Sequence, residues 1–222
     1  MRNITTWNQN HLYPAAGLFL TFILAVTPET SLAVEFNAGF GLGTAHVTES
    51  HDFDDGSLYN IKVDDNNLST TIYGEMEFSP FMRMELGYLD GEFSTVRANS
   101  TGGGSFWYSG PVNVDYGLAG IKLGLVGAIP VTSGNKLKLI LKGGLIHWVS
   151  VVTLEDYGPN LDDDIDSGIA PYLGIGLEID VTPLMAVRLQ HEQFTVDAFS
   201  DYFYYDYKFD YSNFTAGLLF RF

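Results

Sequence analysis

The sequence predicts an all-β fold, an eight-stranded antiparallel up-and-down transmembrane β-barrel, on three observations. Apolar and polar residues alternate with period two along eight stretches. Short turns and long connections alternate between those stretches, as they do between the two rims of a membrane barrel. One face of most stretches is apolar while the other carries Glu, Arg, Lys and Gly, which suits a lipid-facing outside and a charged inside. A soluble barrel would reverse that arrangement. The hydrophobic fraction is 46%, yet mean hydropathy is only +0.07. That combination fits spanning strands better than spanning helices.

The chain begins with Arg2 and a polar stretch to His11. An apolar run of twelve follows, from Ala15 to Val26, and Pro28 ends it. The run is too short to cross a bilayer as a helix. Ser31-Leu32-Ala33 offers small residues for cleavage, so residues 1–33 are expected to be a signal peptide and 34–222 the barrel domain. An uncleaved anchor or a buried helix is the alternative. Removing residues 1–33 takes away Arg2 and Glu29 and leaves the net charge at -16.

The first strand is expected over about 35–48, with Phe36, Ala38, Phe40 and Leu42 opposing Asn37 and three glycines. In the second (68–79), Leu68, Ile72, Met76 and Phe78 oppose Ser69, Thr71, Tyr73, Glu75 and Glu77. In the third (81–93), Met82, Met84 and Leu86 oppose Arg83, Glu85 and Gly87. The fourth (112–127) is blurred at Leu118-Ala119-Gly120-Ile121, where a bulge is an option. Beyond it Ile121, Leu123 and Leu125 oppose Lys122 and Gly124. The fifth (136–151) sets Leu137, Leu139, Leu141 and Leu145 against Lys138, Ile140, Lys142 and Ile146. The sixth (169–181) sets Leu173, Ile175, Leu177 and Ile179 against Tyr172, two glycines, Glu178 and Asp180. The seventh (184–194) sets Met185, Val187 and Leu189 against Arg188, Gln190 and Glu192. The eighth (211–222) sets Phe214, Leu218, Phe220 and Phe222 against Thr215, Gly217 and Arg221.

Short turns are expected at 79–80, 130–135 and 182–183, and long connections at about 49–67, 94–111, 152–168 and 195–210. The long connections are acidic, with Asp52, Asp54 and Asp55, then Asp162-Asp163-Asp164, then Asp197, Asp201 and Asp206. The segment from Phe199 to Tyr207 is either an aromatic contact loop or an extension of the last hairpin. Only 11 Lys and Arg stand against 27 Asp and Glu, which argues against nucleic-acid binding. Without cysteine there is neither a disulfide framework nor a Cys-based metal site or nucleophile.

Several stretches together resemble the transmembrane domain of the OmpA-like outer-membrane proteins. They are Gly74-Glu75-Met76-Glu77-Phe78-Ser79-Pro80-Phe81-Met82-Arg83-Met84-Glu85-Leu86-Gly87-Tyr88, then Ile121-Lys122-Leu123-Gly124 with Pro130-Val131-Thr132, then Leu141-Lys142-Gly143-Gly144-Leu145-Ile146-His147-Trp148. Pro171 to Glu178 continues the series through Thr182-Pro183 to Arg188-Leu189, and Ala216-Gly217-Leu218-Leu219-Phe220-Arg221-Phe222 closes it. The resemblance implies an eight-stranded barrel in the outer membrane of a Gram-negative bacterium. It also implies a central interior charge network at Glu85, Lys122, Glu178 and Arg188, residues that the alternation separately puts on the inner face. Leu218, Phe220 and Phe222 match the family's terminal assembly signal, which makes the barrel assembly machinery and outer-membrane lipid expected partners. The chain departs from the family by an insertion around Leu125–Ile129. No peptidoglycan-binding domain is expected after residue 222, so no tether to the cell wall is implied.

The expected function is a structural or surface-interaction protein with long acidic extracellular loops and an unidentified surface partner. A small or gated low-conductance pore is the alternative, and a lipid-modifying enzyme the weaker one. His46, His51, His147 and His191 are the candidate bases. The His-x-Ser spacing of lipid A deacylases is missing after His147, where Trp148 and Val149 precede Ser150. No zinc pair or carboxylate pair stands out, so neither an enzyme nor a metal or cofactor is expected. His147 and Trp148 are expected at the membrane interface.

Two outcomes follow. N-terminal sequencing of membrane-inserted protein should begin at Val34, and a mature chain that keeps Met1 overturns the cleavage site. Deleting Phe222 should lower the yield of inserted barrel in cells while sparing refolding in detergent; unchanged insertion in cells counts against the assembly signal.

Overall fold

A strand inside a bilayer must find a partner along both edges, because hydrocarbon offers its peptide groups none. The computed structural model, which describes residues 35–49, 57–64, 66–103, 108–132, 134–155, 164–200 and 205–222, meets that demand with one ring of antiparallel pairings. Among the described residues the strands are β1 (Glu35–Glu49), β2 (Leu58–Asp64), β3 (Asn66–Ser79), β4 (Met82–Ser100), β5 (Gly110–Pro130), β6 (Leu137–Glu155), β7 (Asp164–Thr182), β8 (Met185–Ser200) and β9 (Tyr205–Arg221). Strand β1 pairs with both β3 and β9, β4 pairs with β5, and the remaining neighbours pair in chain order. Only Asp65 separates β2 from β3, and both pair with β4, so they act as two segments of one strand. The ring therefore has eight members, and the structure is the expected eight-stranded up-and-down barrel. The expected signal peptide, residues 1–33, lies outside the described residues.

The alternation places side chains as the sequence predicts. Phe40, Leu42, Met84, Leu123, Leu173 and Phe214 are among the apolar residues exposed on the outside. On β6 the outward series is apolar from Leu137 to Leu145 and on β9 from Phe222 back to Phe214. Each spans about nine residues, the length of a tilted strand crossing a bilayer.

The strands run further than the sequence suggests. β5 has 21 residues, and β4, β6 and β7 have 19 each. Much of each expected long connection is therefore hairpin. The Phe199–Tyr207 segment is largely the paired end of β8 and β9, with Ser200 opposite Tyr205. Asp52, Asp54, Asp55, Asp162, Asp163 and Asp201 lie outside the described residues, as does His51.

Above the membrane the ring opens at two seams. The β7–β8 ladder ends at Tyr172↔Phe194, although β7 starts at Asp164 and β8 continues to Ser200. The β1–β3 ladder ends at His46↔Asn66, and β2 pairs with β4 alone. Ten residues separate Thr182 from Tyr172, about 33 Å of strand at ~3.3 Å each. At a tilt of ~40° that is a height of about 25 Å, the thickness of the apolar band of such barrels. Pairing is thus complete where lipid surrounds the strands and relaxes where water can satisfy the backbone.

This split explains the blurred pattern in β5. No register shift occurs at Gly120, so the bulge considered there is absent; the shift in this hairpin lies between Glu92 and Ser94. Leu118 simply points inward, into an apolar cluster with Val114, Tyr116, Ile146, Trp148 and Val196. Trp148 is 3% exposed, so it packs inside rather than at the membrane interface as expected, beside Gly168, where a Cβ would collide with its ring. His147, next in the alternation, does face outward. The insertion at Leu125–Ile129 is absorbed by uninterrupted pairing of β5 with β6, while the ladder with β4 runs as far as Gly127.

Candidate functional site: the charged lumen

The inner face below the apolar cluster is built from ionised side chains. Glu75 and Arg83 come from the β3–β4 hairpin with Glu85, Lys122 from β5, Lys142 from β6, Glu178 from β7, and Arg188 and Glu192 from β8. None is more than 4% exposed. Four acids therefore face four bases, so this layer is neutral in a chain of net charge -16. A buried charge without a counter-charge costs several kcal/mol, so the balance is a condition of folding.

The contacts form two linked groups. Arg188 grips Glu75 with both guanidinium ends, Nη1 to Oε1 at 2.5 Å and Nη2 to Oε2 at 3.1 Å. Its Nη2 also donates to Glu178 Oε2 at 2.7 Å. Arg83 donates to the same two acids, at 3.2 Å to Glu75 and 2.8 Å to Glu178. Two guanidinium groups thus share two carboxylates, and β3 and β4 are tied across the lumen to β7 and β8. In the second group Lys122 Nζ reaches Glu192 at 2.6 Å, and Lys142 Nζ bridges Glu192 at 3.0 Å and Glu85 at 2.6 Å. Arg188 stands 3.8 Å from Glu85 and joins the groups.

Two tyrosines cover the cations. Tyr73 has Lys142 5.2 Å and Arg188 5.1 Å from its ring centre, and Lys122 lies 5.5 Å from that of Tyr172. The rings fit because Gly39 and Gly124 lack a Cβ that would strike them. At the short-turn mouth Arg221 contacts Glu178 at 2.8 Å and also Asp180, while Lys138 lies 3.3 Å from Asp180.

Glu85, Lys122, Glu178 and Arg188 all point into the lumen, but within the four only Arg188 meets an acid, at 2.7 Å to Glu178 and 3.8 Å to Glu85. Lys122 meets Glu192, not Glu178. It lies eight residues before the end of β5, whereas Glu178 lies four before the end of β7, a difference of about 13 Å of strand. The close partner of Arg188 is Glu75 and that of Glu85 is Lys142. Glu75, Arg83, Lys142 and Glu192 were visible as inward charges in the alternation. No local signal singles them out, because their partners stand up to 113 residues away. Leu218, Phe220 and Phe222 lie on the outer face of β9 or at its end, with Phe222 78% exposed. His46, His147 and His191 project outward from β1, β6 and β8, strands that are not neighbours. Among the described residues no group of three metal-ligating side chains gathers.

The model of the OmpA-like transmembrane domain matches residues 32–222. The chain belongs to that family. Solved structures agree on the fold. Neisserial surface protein A is 14% identical, covers 84% of this chain and 97% of its own, and superposes with a TM-score of 0.57. Ail of Yersinia pestis is 15% identical, covers 85% and 98%, and gives a TM-score of 0.50. A second Ail structure, in complex with the heparin analogue sucrose octasulfate, is 15% identical, covers 85% and 99%, and gives 0.52. The curated proteins offer no match to the sequence. This OmpA-like barrel is accordingly a Gram-negative outer-membrane protein.

The ion-pair geometry sets an order of coupling energies. A double-mutant cycle in detergent should give Arg188 and Glu75 a coupling of about 1–3 kcal/mol. The Arg188–Glu85 coupling should be smaller, since 3.8 Å leaves no direct hydrogen bond. Arg188→Ala should cost less than the roughly 3–5 kcal/mol of a fully orphaned pair, because Arg83 still serves both acids. A zero coupling between Arg188 and Glu75 overturns the assignment.

Proposed function

We propose that this OmpA-like barrel is a closed structural and surface-interaction protein whose lumen does not conduct. The observation that carries the proposal is a double closure. The ion-pair layer fills the membrane level, and the apolar cluster covers it on the long-connection side. There Phe194 and Tyr211 pack with ring centres 4.4 Å apart and planes tilted by 34°, beside a small cavity bordered by Val47, Leu118, Val196 and Tyr211. Rearranging charges alone would still leave ions facing an apolar barrier, where an unpaired charge is costly.

The end with the long connections faces the outside of the cell, following the usual asymmetry of outer-membrane barrels, and its acidity sets what it meets. Soluble polyanions are repelled, while basic or cation-bearing surface partners are favoured. On this point the chain contrasts with Ail, whose structure holds a polyanionic heparin analogue. The short-turn end carries Leu218, Phe220 and Phe222 as the segment read by the barrel assembly machinery. Residues 1–33 serve as the export signal.

Planar-bilayer recording on refolded protein is the test. Wild type should show no steady conductance, and neither should Arg83→Ala/Arg188→Ala, in which the apolar cluster is intact. Steady channels in wild type overturn the closed state. Channels in the double variant alone favour a gated pore.

A further inference from the structure

The outer end holds three bases among the described residues, and two of them are placed against electrostatic expectation. Lys208 has an acid, Asp197, at 3.8 Å. Among the described residues Lys62 of β2 and Arg97 of β4 make no ion pair, and the register sets them directly opposite each other. Both are exposed, and both lie on the outward face, since the inward residues flanking Arg97 are the buried Val96 and Ala98. Like charges directly opposed on neighbouring strands destabilise a sheet. A lysine on a free edge strand can be explained as protection against stray strand pairing. That role needs no arginine opposite it, and β4 is not an edge.

Two cationic groups about 5 Å apart at their Cβ atoms form a fork for one tetrahedral anion. Phosphate suits it, because guanidinium and ammonium groups both donate charge-assisted hydrogen bonds to its oxygens. Next along the same rung, opposite Arg97, stands Asn113 of β5, a further polar group beside the fork. Tyr59, 49% exposed, flanks the pair opposite Asn99.

Height and charge decide where the phosphate comes from. Arg97 lies fifteen residues beyond Met82, about 38 Å above the short-turn rim at ~3.3 Å per residue and ~40° tilt. That is roughly 12 Å beyond the hydrocarbon band, level with the sugars and phosphates of a glycolipid leaflet. Asp64 and Asp115 stand one rung nearer the membrane, on the row of Thr95. They and the remaining acidic end repel a free anion. An anion already tethered in the leaflet is held at high effective concentration and overcomes that repulsion. We infer that Lys62 and Arg97 form a binding site for a phosphate group carried on an outer-leaflet glycolipid. The inference rests on the outward orientation given above.

The test uses the refolded chain in detergent micelles, with native mass spectrometry reading the retained ligand. The probes are a diphosphorylated glycolipid, the same glycolipid stripped of phosphate, and inorganic phosphate. Wild type should retain the diphosphorylated form. Lys62→Gln/Arg97→Gln should retain it about tenfold less, and Lys62→Arg/Arg97→Lys should keep it. Equal retention by wild type and the Gln pair, or equal retention of the two glycolipids, overturns the site. Inorganic phosphate bound as tightly as the glycolipid overturns the lipid assignment. Orientation is read separately, by labelling a thiol from Tyr108→Cys on intact cells. Labelling supports the outward orientation. Its absence together with glycolipid binding in micelles overturns that orientation, and with it the membrane source of the ligand.

Discussion

A peptide group without a partner in hydrocarbon costs several kcal/mol, and the molecule is arranged around that cost. It closes the ring of pairings between β1 and β9, seals every ladder over the span that lipid surrounds, and forbids an edge there. The same rule marks the upper limit of the membrane. Where β7 parts from β8 and β1 from β2, water has replaced lipid, and the strands continue as two sheets over a shared apolar core.

Closure creates a second constraint. Eight strands enclose a space that side chains must fill, and the outward faces are already committed to lipid. Charges placed inside must then neutralise one another. The four acids and four bases of the inner layer do so through contacts across the lumen, and the rings of Tyr73 and Tyr172 occupy what the glycines leave. Because each guanidinium serves two carboxylates, the layer behaves as one unit rather than as separable pairs. The layer therefore adds nothing to the net charge of -16.

The pairing of charges shows where reading the sequence stops. Alternation puts Glu75, Glu85, Arg188 and Glu192 inside, and it does so from neighbours two residues away. It carries no information about height around the ring, which depends on stagger and tilt. Lys122 and Glu178 look complementary in the sequence, yet they sit at different levels. Trp148 misleads for a related reason. A tryptophan near a strand end suits a membrane interface, but β6 continues to Glu155, and its alternation turns Trp148 inward while His147 faces out.

The sequence by itself determined the number of spanning strands, which face of each meets lipid, and the asymmetry of the two rims. Those properties follow from period-two alternation and turn chemistry, both local. The tertiary structure alone decided which acid meets which base, where the ring opens, how far the hairpins project, and that Lys62 faces Arg97. Each of these depends on register between strands that are distant in the chain. Register is fixed only when all eight strands close together.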